Sequence, residues 1–305
     1  MTGTAVQIHE VGLRDGLQME STVVPTEVKL EWTDALLGAG IDIVQLGSFV
    51  HPGRVPQMAD SDVLFKRVLA VRQNPVPVLS GLVLNEKGLE RGLACGVEMF
   101  CLGVSASETH SLRNTGMGTE EAIGRVLAMA RAVLSAGKRV QVSVQSAFGC
   151  GYEGEIDENR TLGIVERYLE AGLTEISLAD TAGHGDPRRV HRLFGRIRQS
   201  APDGVSLTCH FHNTYGMALA NCVAALEAGV TCFESSLAGL GGCPFTAVAG
   251  GNVCTEDLVH MFQRMGLCPD VRLSKLIESA RELARFLDRE LPGSVYRTGG
   301  IGGSS

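Results

Sequence analysis

The chain has 305 residues, of which 44% are hydrophobic and 20% charged, and it carries a formal net charge of −7 with a pI near 5.7. This composition is typical of a globular protein with one sizeable core. The acidic balance argues against a nonspecific nucleic-acid or anionic-membrane surface and favours small-molecule partners. The sequence contains no apolar run of about 20 residues, and the first residues lack a basic segment followed by an apolar one, which predicts a cytoplasmic protein.

The number and spacing of the cysteines bear on whether the protein contains disulfides or a structural zinc site. The nine cysteines are odd in number and form no C-x-x-C pair. The sequence therefore indicates neither a disulfide framework nor a structural zinc site.

Short β-rich segments recur along the whole chain. Eight of them are candidate strands: residues 5–11, 42–50, 76–84, 98–106, 139–147, 175–181, 206–212 and 232–239. Between them lie segments with apolar residues at three- and four-residue spacing, such as "TEVKLEWTDALLGAG" and "RTLGIVERYLEAG". Each of these helical segments closes on glycine, which accepts the left-handed conformation found just past a helix end.

A β-α unit repeated about eight times predicts a (β/α)8 barrel. The alternative, a doubly wound sheet, would usually have fewer strands and a glycine-rich dinucleotide fingerprint, which the sequence lacks. A further helix is predicted at 274–291, packed over one barrel end. We expect one domain over residues 1–291 and a flexible tail over 292–305.

Polar residues cluster where the predicted strands end, the region in which barrel enzymes carry their active sites. In "CHFHNTYG", His210 and His212 are two residues apart on strand 7 and should project to the same side. An isolated H-x-H is more often a core histidine beside a loop histidine. Strand 1, however, ends in "EVGLRDGLQ", with Arg14 and Asp15, and strand 8 is followed by glycine-rich turns holding Cys243 and Asn252.

Strands 1, 7 and 8 are neighbours in a closed barrel, so Asp15, His210, His212 and Asn252 could converge on one ion. A carboxylate, an amide oxygen and two imidazoles form a mixed oxygen and nitrogen ligand set without thiolates. Such a set suits Mg²⁺ or Mn²⁺ with open positions better than closed tetrahedral zinc. An open site of this kind predicts catalysis.

These residues resemble the 3-hydroxy-3-methylglutaryl-CoA lyase family, a group of metal-dependent (β/α)8 lyases, over about residues 6–290. The motifs that carry the resemblance, in order, are "EVGLRDGLQ", "SFVHPGRVPQMAD", "GCGYEGEI", "EISLADTAG", "HFHNTYGMALAN" and "GLGGCPFTAVAGGNVCTEDLV". The resemblance implies a divalent ion on Asp15, His210, His212 and Asn252 and an acyl-CoA substrate. The helix at 274–291 could either supply a surface for a homodimer or higher homo-oligomer or merely cap the barrel.

The same resemblance implies catalytic roles for Arg14, Asp15 and Cys243. Cleavage between carbons 2 and 3 of a 3-hydroxyacyl-CoA needs the 3-hydroxyl to lose a proton while the thioester side collects charge as an enolate. A metal acidifies the hydroxyl, and Arg14 stabilises the enolate oxygen. Cys243 has a thiol with an ordinary pKa of about 8.5 and could deliver a proton to the new carbanion. The other reading of Cys243 is a packing residue.

Further positions follow the family more loosely. Arg14 is expected to contact the substrate together with four residues at strand ends: Gln45, Ser48, Ser143 and Gln145. Asn85 and Lys87 lie where the CoA moiety runs in the family, although a solvated lysine is an equally good reading of Lys87. Ser177 and Asp180 are expected near the metal or as plain strand-end caps.

The sequence also departs from the family pattern in the pocket. Gln45 stands where the family has a glutamate, and an amide cannot accept a proton. On strand 5, Gln141, Ser143, Gln145 and Ser146 replace the usual residues. The substrate thus stays open between 3-hydroxy-3-methylglutaryl-CoA and relatives such as citramalyl-CoA or a longer 3-substituted glutaryl-CoA. An aldolase acting on a free 2-oxo acid and a non-catalytic acyl-CoA-binding barrel are the remaining alternatives.

Overall fold

The protein folds as a closed barrel of eight parallel strands in sequence order, with the last strand hydrogen-bonded to the first. This computed structural model describes residues 6–72, 77–242 and 250–301. Each predicted strand segment contains one observed strand, which confirms the (β/α)8 barrel. The strands are β1 (Gln7–Glu10), β2 (Ile43–Ser48), β3 (Val78–Leu82), β4 (Met99–Ser105), β5 (Arg139–Gln145), β6 (Glu175–Asp180), β7 (Ser206–Phe211) and β8 (Cys232–Ser235).

Helices follow the strands on the outside of the barrel; β4 is followed by two of them and β8 by three. They are α1 (Thr26–Ala39), α2 (Ser61–Val71), α3 (Glu86–Cys95), α4 (Glu108–Thr115), α5 (Thr119–Ser135), α6 (Glu158–Glu170), α7 (Pro187–Ser200), α8 (Ala218–Glu227), α9 (Thr255–Arg264), α10 (Leu273–Phe286) and α11 (Val295–Thr298). Within the described residues, none of these helices is both long and apolar enough to cross a membrane.

Helix α7 shows how local sequence sets these elements. Asp186 precedes the helix and accepts hydrogen bonds from two backbone N–H groups of the first turn, and Pro187 occupies the first helical position. Both features favour a helix start. Val190, Leu193, Phe194 and Ile197 recur at helical spacing and are fully buried against the sheet.

Two glycines end their helices as the sequence predicted. Gly40 follows α1 with φ of 84°, and Gly96 follows α3 with φ of 86°. These left-handed conformations disfavour any residue with a Cβ atom, so each glycine stops its helix and turns the chain toward the next strand.

The barrel interior is apolar in one layer and polar in the next. Ile43, Met99, Cys101 and Cys232 form a small buried apolar cluster inside the barrel. A second interior group consists of polar side chains from four strands, and its members are His9, Ser80, Gln141 and Glu234. Buried polar groups are tolerated where they bond to one another, so this layer forms a hydrogen-bonded base for the strand ends above it.

Helix α10 lies along the barrel wall instead of covering a barrel end, and it spans Leu273–Phe286 instead of the predicted 274–291. Helix α10 contacts α1 along its length. At the start of α10 the Arg272 N–H donates to the carbonyl of Ala39, the last residue of α1. At the end of α10 the Phe286 ring packs edge-on against Trp32 of α1, with 5.4 Å between the ring centres. The helix therefore runs antiparallel to α1. Its apolar face is buried against α1 and α9, which accounts for the difference from the sequence-based expectation.

Within the segment 292–305, predicted as a flexible tail, residues 293–296 contact the rest of the protein. Tyr296 in α11 is 5% exposed, and its hydroxyl accepts from the Leu291 N–H at 2.9 Å. The Asp257 carboxylate accepts from the backbone N–H groups of Ser294 and Val295. These contacts involve residues that precede the glycine-rich end of the chain, "TGGIGGSS".

Phe233 provides a test of the core. This β8 side chain is fully buried and packs edge-on against Phe262 of α9 at 4.8 Å. Phe233→Ala would leave a cavity between strand and helix, and we expect it to lower the free energy of unfolding by about 3–5 kcal/mol in urea denaturation. Val71→Ala, at a position 71% exposed, should change it by less than about 0.5 kcal/mol. Equal effects of the two substitutions would contradict the packing described.

Candidate active site

A tight turn after β1 places Arg14 and Asp15 on the barrel rim. Residues Gly12–Gly16 form one π-helical turn, in which the N–H groups of Asp15 and Gly16 point back to the Val11 carbonyl. Asp15 is 6% exposed and faces the barrel mouth instead of solvent. Arg14 and Asp15 form an ion pair whose side chains are 12% and 8% exposed.

Glu10 fixes this turn to the segment after β8. Its Oε1 accepts hydrogen bonds from the N–H groups of Gly12 at 2.7 Å and Leu237 at 2.9 Å, and its Oε2 accepts from the Thr255 hydroxyl. Burial raises the pKa of the Glu10 carboxyl to about 7 against the effect of these hydrogen bonds. A single buried side chain thus joins the two segments that carry Asp15 and Asn252.

The two histidines of β7 converge with Asp15. His210 and His212 are both buried, and their Nε2 atoms lie 3.2 Å apart. The Nε2 atom of His210 is 3.9 Å from Oδ2 of Asp15. One ligand atom from each of the three residues lies within 4.8 Å of the others, which is the spacing of groups that share one ion.

Asn252 completes the predicted set. Its Nδ2 donates to Asp15 Oδ2 at 2.7 Å and to the Leu240 carbonyl at 3.0 Å. Its Oδ1 is buried and has no hydrogen-bond partner among residues 6–72, 77–242 and 250–301. A buried carbonyl oxygen without a hydrogen-bond partner is unfavourable, so this oxygen is expected to bind an ion or a water molecule. The four residues predicted as metal ligands are therefore brought together, and one of them has an oxygen free to bind.

The outer nitrogens of both histidines have acceptors. His210 Nδ1 lies 2.8 Å from Glu234 Oε2, and His212 Nδ1 lies 2.9 Å from the Gly250 carbonyl oxygen. Since a carbonyl oxygen can only accept and the Glu234 carboxylate is ionised, both Nδ1 atoms are assigned as donors. This tautomer leaves a lone pair on each Nε2, as a metal-binding imidazole requires.

The ionisation states of Asp15 and His212 favour metal binding. Burial opposes the charge on Asp15, but Arg14 and the two histidines outweigh it and lower the pKa of the carboxyl to about 2. Burial, reinforced by the neighbouring His210, lowers the pKa of His212 to about 4. At neutral pH Asp15 is therefore an anion and His212 a neutral imidazole, which are the forms that bind a divalent cation.

Arg14 is held by two side chains. Its Nε donates to Gln45 Oε1, and its Nη1 donates to Asp15 Oδ1. Gln45 is 1% exposed on β2, so the guanidinium plane is fixed by a rigid strand. An amide partner leaves the guanidinium charge unneutralised on that side, and the remaining N–H groups of Arg14 can bind an anionic oxygen.

A cavity of about 830 Å³ opens above this cluster, a volume in the range of small-molecule sites. Of the residues predicted to contact substrate or CoA, Arg14, Gln45, Asn85, Ser143 and Gln145 line it. Ser177 also lines the cavity. The Asp180 carboxylate accepts hydrogen bonds from the backbone N–H groups of His184 and Gly185.

Two predicted contacts do not reach this cavity. Ser48 is buried in β2, where its carbonyl accepts from the Ser61 hydroxyl, and Lys87 is exposed on α3. Asn85 lines the cavity but also caps α3, because its Oδ1 accepts from the Gly88 N–H at 2.8 Å. Cys243 lies outside the described residues, directly after the cavity-lining Gly242.

Sequence reasoning missed Glu234 and His9. Glu234 accepts from Gln141 Nε2 at 2.7 Å, and its Oε1 lies 3.5 Å from His9 Nδ1, while His9 Nε2 lies 2.8 Å from the Ser80 hydroxyl. The available signal was an ionisable residue at a strand position predicted to be interior, His9 in "QIHE" and Glu234 in "CFES". A charge at an interior barrel position needs partners and so marks a polar site.

A closed parallel barrel with its polar cluster at the carboxyl ends of the strands defines a (β/α)8 barrel enzyme. A family profile described as HMGL-like matches residues 5–283. The chain is 38% identical to the human mitochondrial hydroxymethylglutaryl-CoA lyase over 95% of its length and 88% of the relative's. It is 35% identical to hydroxymethylglutaryl-CoA lyase YngG of Bacillus subtilis, over 94% and 95% of the two chains.

Solved structures give the same result. An HMG-CoA lyase from Acinetobacter baumannii in complex with coenzyme A and 3-methylmalate superposes with a TM-score of 0.93, at 34% identity and over 100% and 99% of the two chains. The chain therefore belongs to the HMGL-like family, as the sequence motifs indicated. The prediction of an enzyme of the carbon–carbon lyase class is confirmed by these relatives.

The buried His9 predicts a specific acid sensitivity. Burial lowers its pKa from 6.5 to about 4, so the unfolded chain binds a proton at this residue before the folded protein does. Its contribution to stability is present above pH 6.5 and is lost as the pH falls toward 4. Between pH 8 and pH 5 wild type should lose about 2 kcal/mol more of its free energy of unfolding than His9→Gln.

The measurement is urea denaturation at both pH values. His191→Gln, at an exposed position on α7, is the control and should keep the wild-type pH dependence. Identical pH dependence in wild type and His9→Gln would contradict the assignment of His9 as a buried neutral imidazole.

Proposed function

We propose that this protein is a divalent-metal-dependent carbon–carbon lyase that cleaves a 3-hydroxyacyl-CoA resembling 3-hydroxy-3-methylglutaryl-CoA to acetyl-CoA and an oxo acid. The observation that carries the proposal is the buried ligand set itself. Asp15, His210 and His212 converge at the rim of a large cavity, and the unpartnered Oδ1 of Asn252 belongs to the same cluster. The similarity to HMG-CoA lyases, one of them in complex with coenzyme A and 3-methylmalate, supports the choice of substrate class.

Asp15, His210, His212 and Asn252 are the residues that would hold the ion. They supply oxygen and nitrogen atoms without sulfur, which favours Mg²⁺ or Mn²⁺. A divalent ion there would acidify the substrate's 3-hydroxyl and fix its orientation.

Arg14 is proposed to bind the thioester oxygen. Its guanidinium is positioned by Gln45 and Asp15 before substrate arrives, so stabilising the enolate charge requires no reorganisation. Gln45 orients Arg14 but cannot take the hydroxyl proton, because an amide is not a base at neutral pH. Cys243 is proposed on its sequence position alone as the donor of a proton to the carbanion.

Neutral polar side chains in the cavity wall support a second group of substrates for the same reaction. Gln45, Gln141, Gln145, Ser143 and Ser177 bring amides and hydroxyls to the cavity wall. Such groups can bind a polar or longer substituent at carbon 3 by hydrogen bonds. Citramalyl-CoA and longer 3-substituted glutaryl-CoA thioesters therefore belong in the substrate panel.

We also propose a reducing compartment such as the cytoplasm. The cysteines of the described ranges are unpaired thiols, which is the usual state of cytosolic cysteines. The names of the relatives give different compartments: the human lyase is named mitochondrial and a zebrafish lyase is named cytoplasmic.

The first test is thioester cleavage with purified protein. With Mg²⁺ or Mn²⁺ present, we expect release of acetyl-CoA from at least one member of the panel, and loss of that activity after chelator treatment or in His210→Ala. His191→Ala is the matched control on the surface and should retain activity. Cleavage that survives chelation would contradict metal dependence. Binding of acyl-CoA without cleavage of any thioester would favour a binding function.

Arg14→Gln tests the proposed charge stabilisation. Removing the guanidinium should lower kcat by about 10²–10³-fold, with a smaller change in KM, because the enolate charge develops mainly in the transition state. Arg72→Gln is the control, since Arg72 pairs with Glu98 just before β4, away from the rim. An unchanged kcat in Arg14→Gln would remove Arg14 from the mechanism.

A further inference from the structure

Glu234 lies in the barrel interior directly behind one of the proposed metal ligands. It is 9% exposed, and both of its carboxylate oxygens are engaged. Oε2 lies 2.8 Å from His210 Nδ1, while Oε1 accepts from Gln141 Nε2 at 2.7 Å and lies 3.5 Å from His9 Nδ1. The carboxylate is therefore surrounded by side chains from β1, β5 and β7.

This arrangement selects one form of the His210 ring. A carboxylate beside Nδ1 favours the proton on that nitrogen, and the lone pair is then left on Nε2. Nε2 faces His212 Nε2 at 3.2 Å and Asp15 Oδ2 at 3.9 Å. The contact with Glu234 thus turns the coordinating nitrogen of His210 toward the other ligands.

The two histidines are anchored by different parts of the fold. His212 donates to the carbonyl of Gly250, in the segment after β8. His210 instead depends on a side chain whose supports are interior strand residues, and His9 is itself held by the Ser80 hydroxyl of β3 at 2.8 Å. The Nδ1 side of His210 is therefore supported from the barrel interior, whereas His212 is supported from a rim segment.

We infer that Glu234 is a positioning residue that holds His210 in the Nδ1-protonated form and in the orientation needed to bind a divalent cation. The inference rests on the proposed function only in assuming that Asp15, His210, His212 and Asn252 are the metal ligands. Glu234 acts through His210, since its two oxygens contact His210 and Gln141 and one of them lies 3.5 Å from His9 Nδ1.

The first experiment reads the tautomer of His210 in wild-type protein without metal. Long-range ¹H–¹⁵N correlation spectra of protein labelled with ¹⁵N-histidine, recorded at mildly alkaline pH, separate protonated from unprotonated ring nitrogens. The His210 signals are those absent from His210→Ala. We expect Nδ1 to carry the proton. A predominant Nε2–H form would overturn the inference, and this measurement needs neither a variant at Glu234 nor catalysis.

The second experiment measures the binding of Mn²⁺ alone, by the electron paramagnetic resonance signal of the free ion. Glu234→Gln keeps the size of the side chain but replaces one carboxylate oxygen by an NH2 donor, so it can accept at only one of the two positions that face His210 and Gln141. It also removes the charge that strengthens the contact with His210. We expect Mn²⁺ to bind about 10–100-fold more weakly than to wild type, and the His210 ring to lose its preference for the Nδ1–H form.

Glu256→Gln is the matched control. Glu256 is also a buried carboxyl after β8, but its Oε2 accepts from the Ala238 N–H, and within the described part of the chain its hydrogen bonds involve no histidine. Its Mn²⁺ affinity should stay within about twofold of wild type. Equal weakening in both variants, or unchanged affinity in a folded Glu234→Gln, would overturn the inference. Because neither experiment uses a thioester, absence of lyase activity would count against the proposed function and leave this inference standing.

Discussion

The pairing of β8 with β1 is the constraint on which the site depends. Residues Gln7–Glu10 pair in register with Cys232–Ser235, and this closure brings the turn with Asp15 beside the segment with Asn252. Glu10 strengthens the junction, since its carboxyl bonds to the turn after β1, to Leu237 and to Thr255. Asp15 and Asn252 are 237 residues apart in sequence and in hydrogen-bond contact, so any loosening of the closure would separate two proposed ligands at once.

The buried carboxylates inside the barrel are each in contact with a basic side chain. Asp15 and Glu234 are buried carboxylates whose pKa values are each lowered to about 2 despite the opposing effect of burial. His210 lies between them, and its pKa is raised because these carboxylates outweigh the effect of burial. Buried charges of this kind are costly unless paired. The polar interior is thus a cost to stability that a catalytic site explains better than a packing role does.

Two kinds of support meet at the proposed metal centre. His210 is oriented from the barrel interior through Glu234, whereas His212 and Asn252 are oriented by backbone groups of the segments after β8, at Gly250 and Leu240. Arg14 is fixed independently from β2 by Gln45. A substrate entering the cavity would therefore meet a preformed set of groups, which is the condition for electrostatic catalysis without reorganisation.

The sequence by itself determined the strand and helix order, because apolar periodicity and helix-ending glycines such as Gly40 and Gly96 are local properties of the chain. It also determined the candidate ligands, since the two-residue spacing of His210 and His212 on a strand fixes their common side. Only the tertiary structure decided that Glu234 lies behind His210, because a glutamate in an apolar strand carries no local sign of its partner from β7. The same holds for Ser48, which lies away from the cavity, and for α10, whose apolar face could have covered either a barrel end or a barrel wall. In each case the deciding contact joins residues far apart in sequence, and such contacts exist only once the barrel has closed.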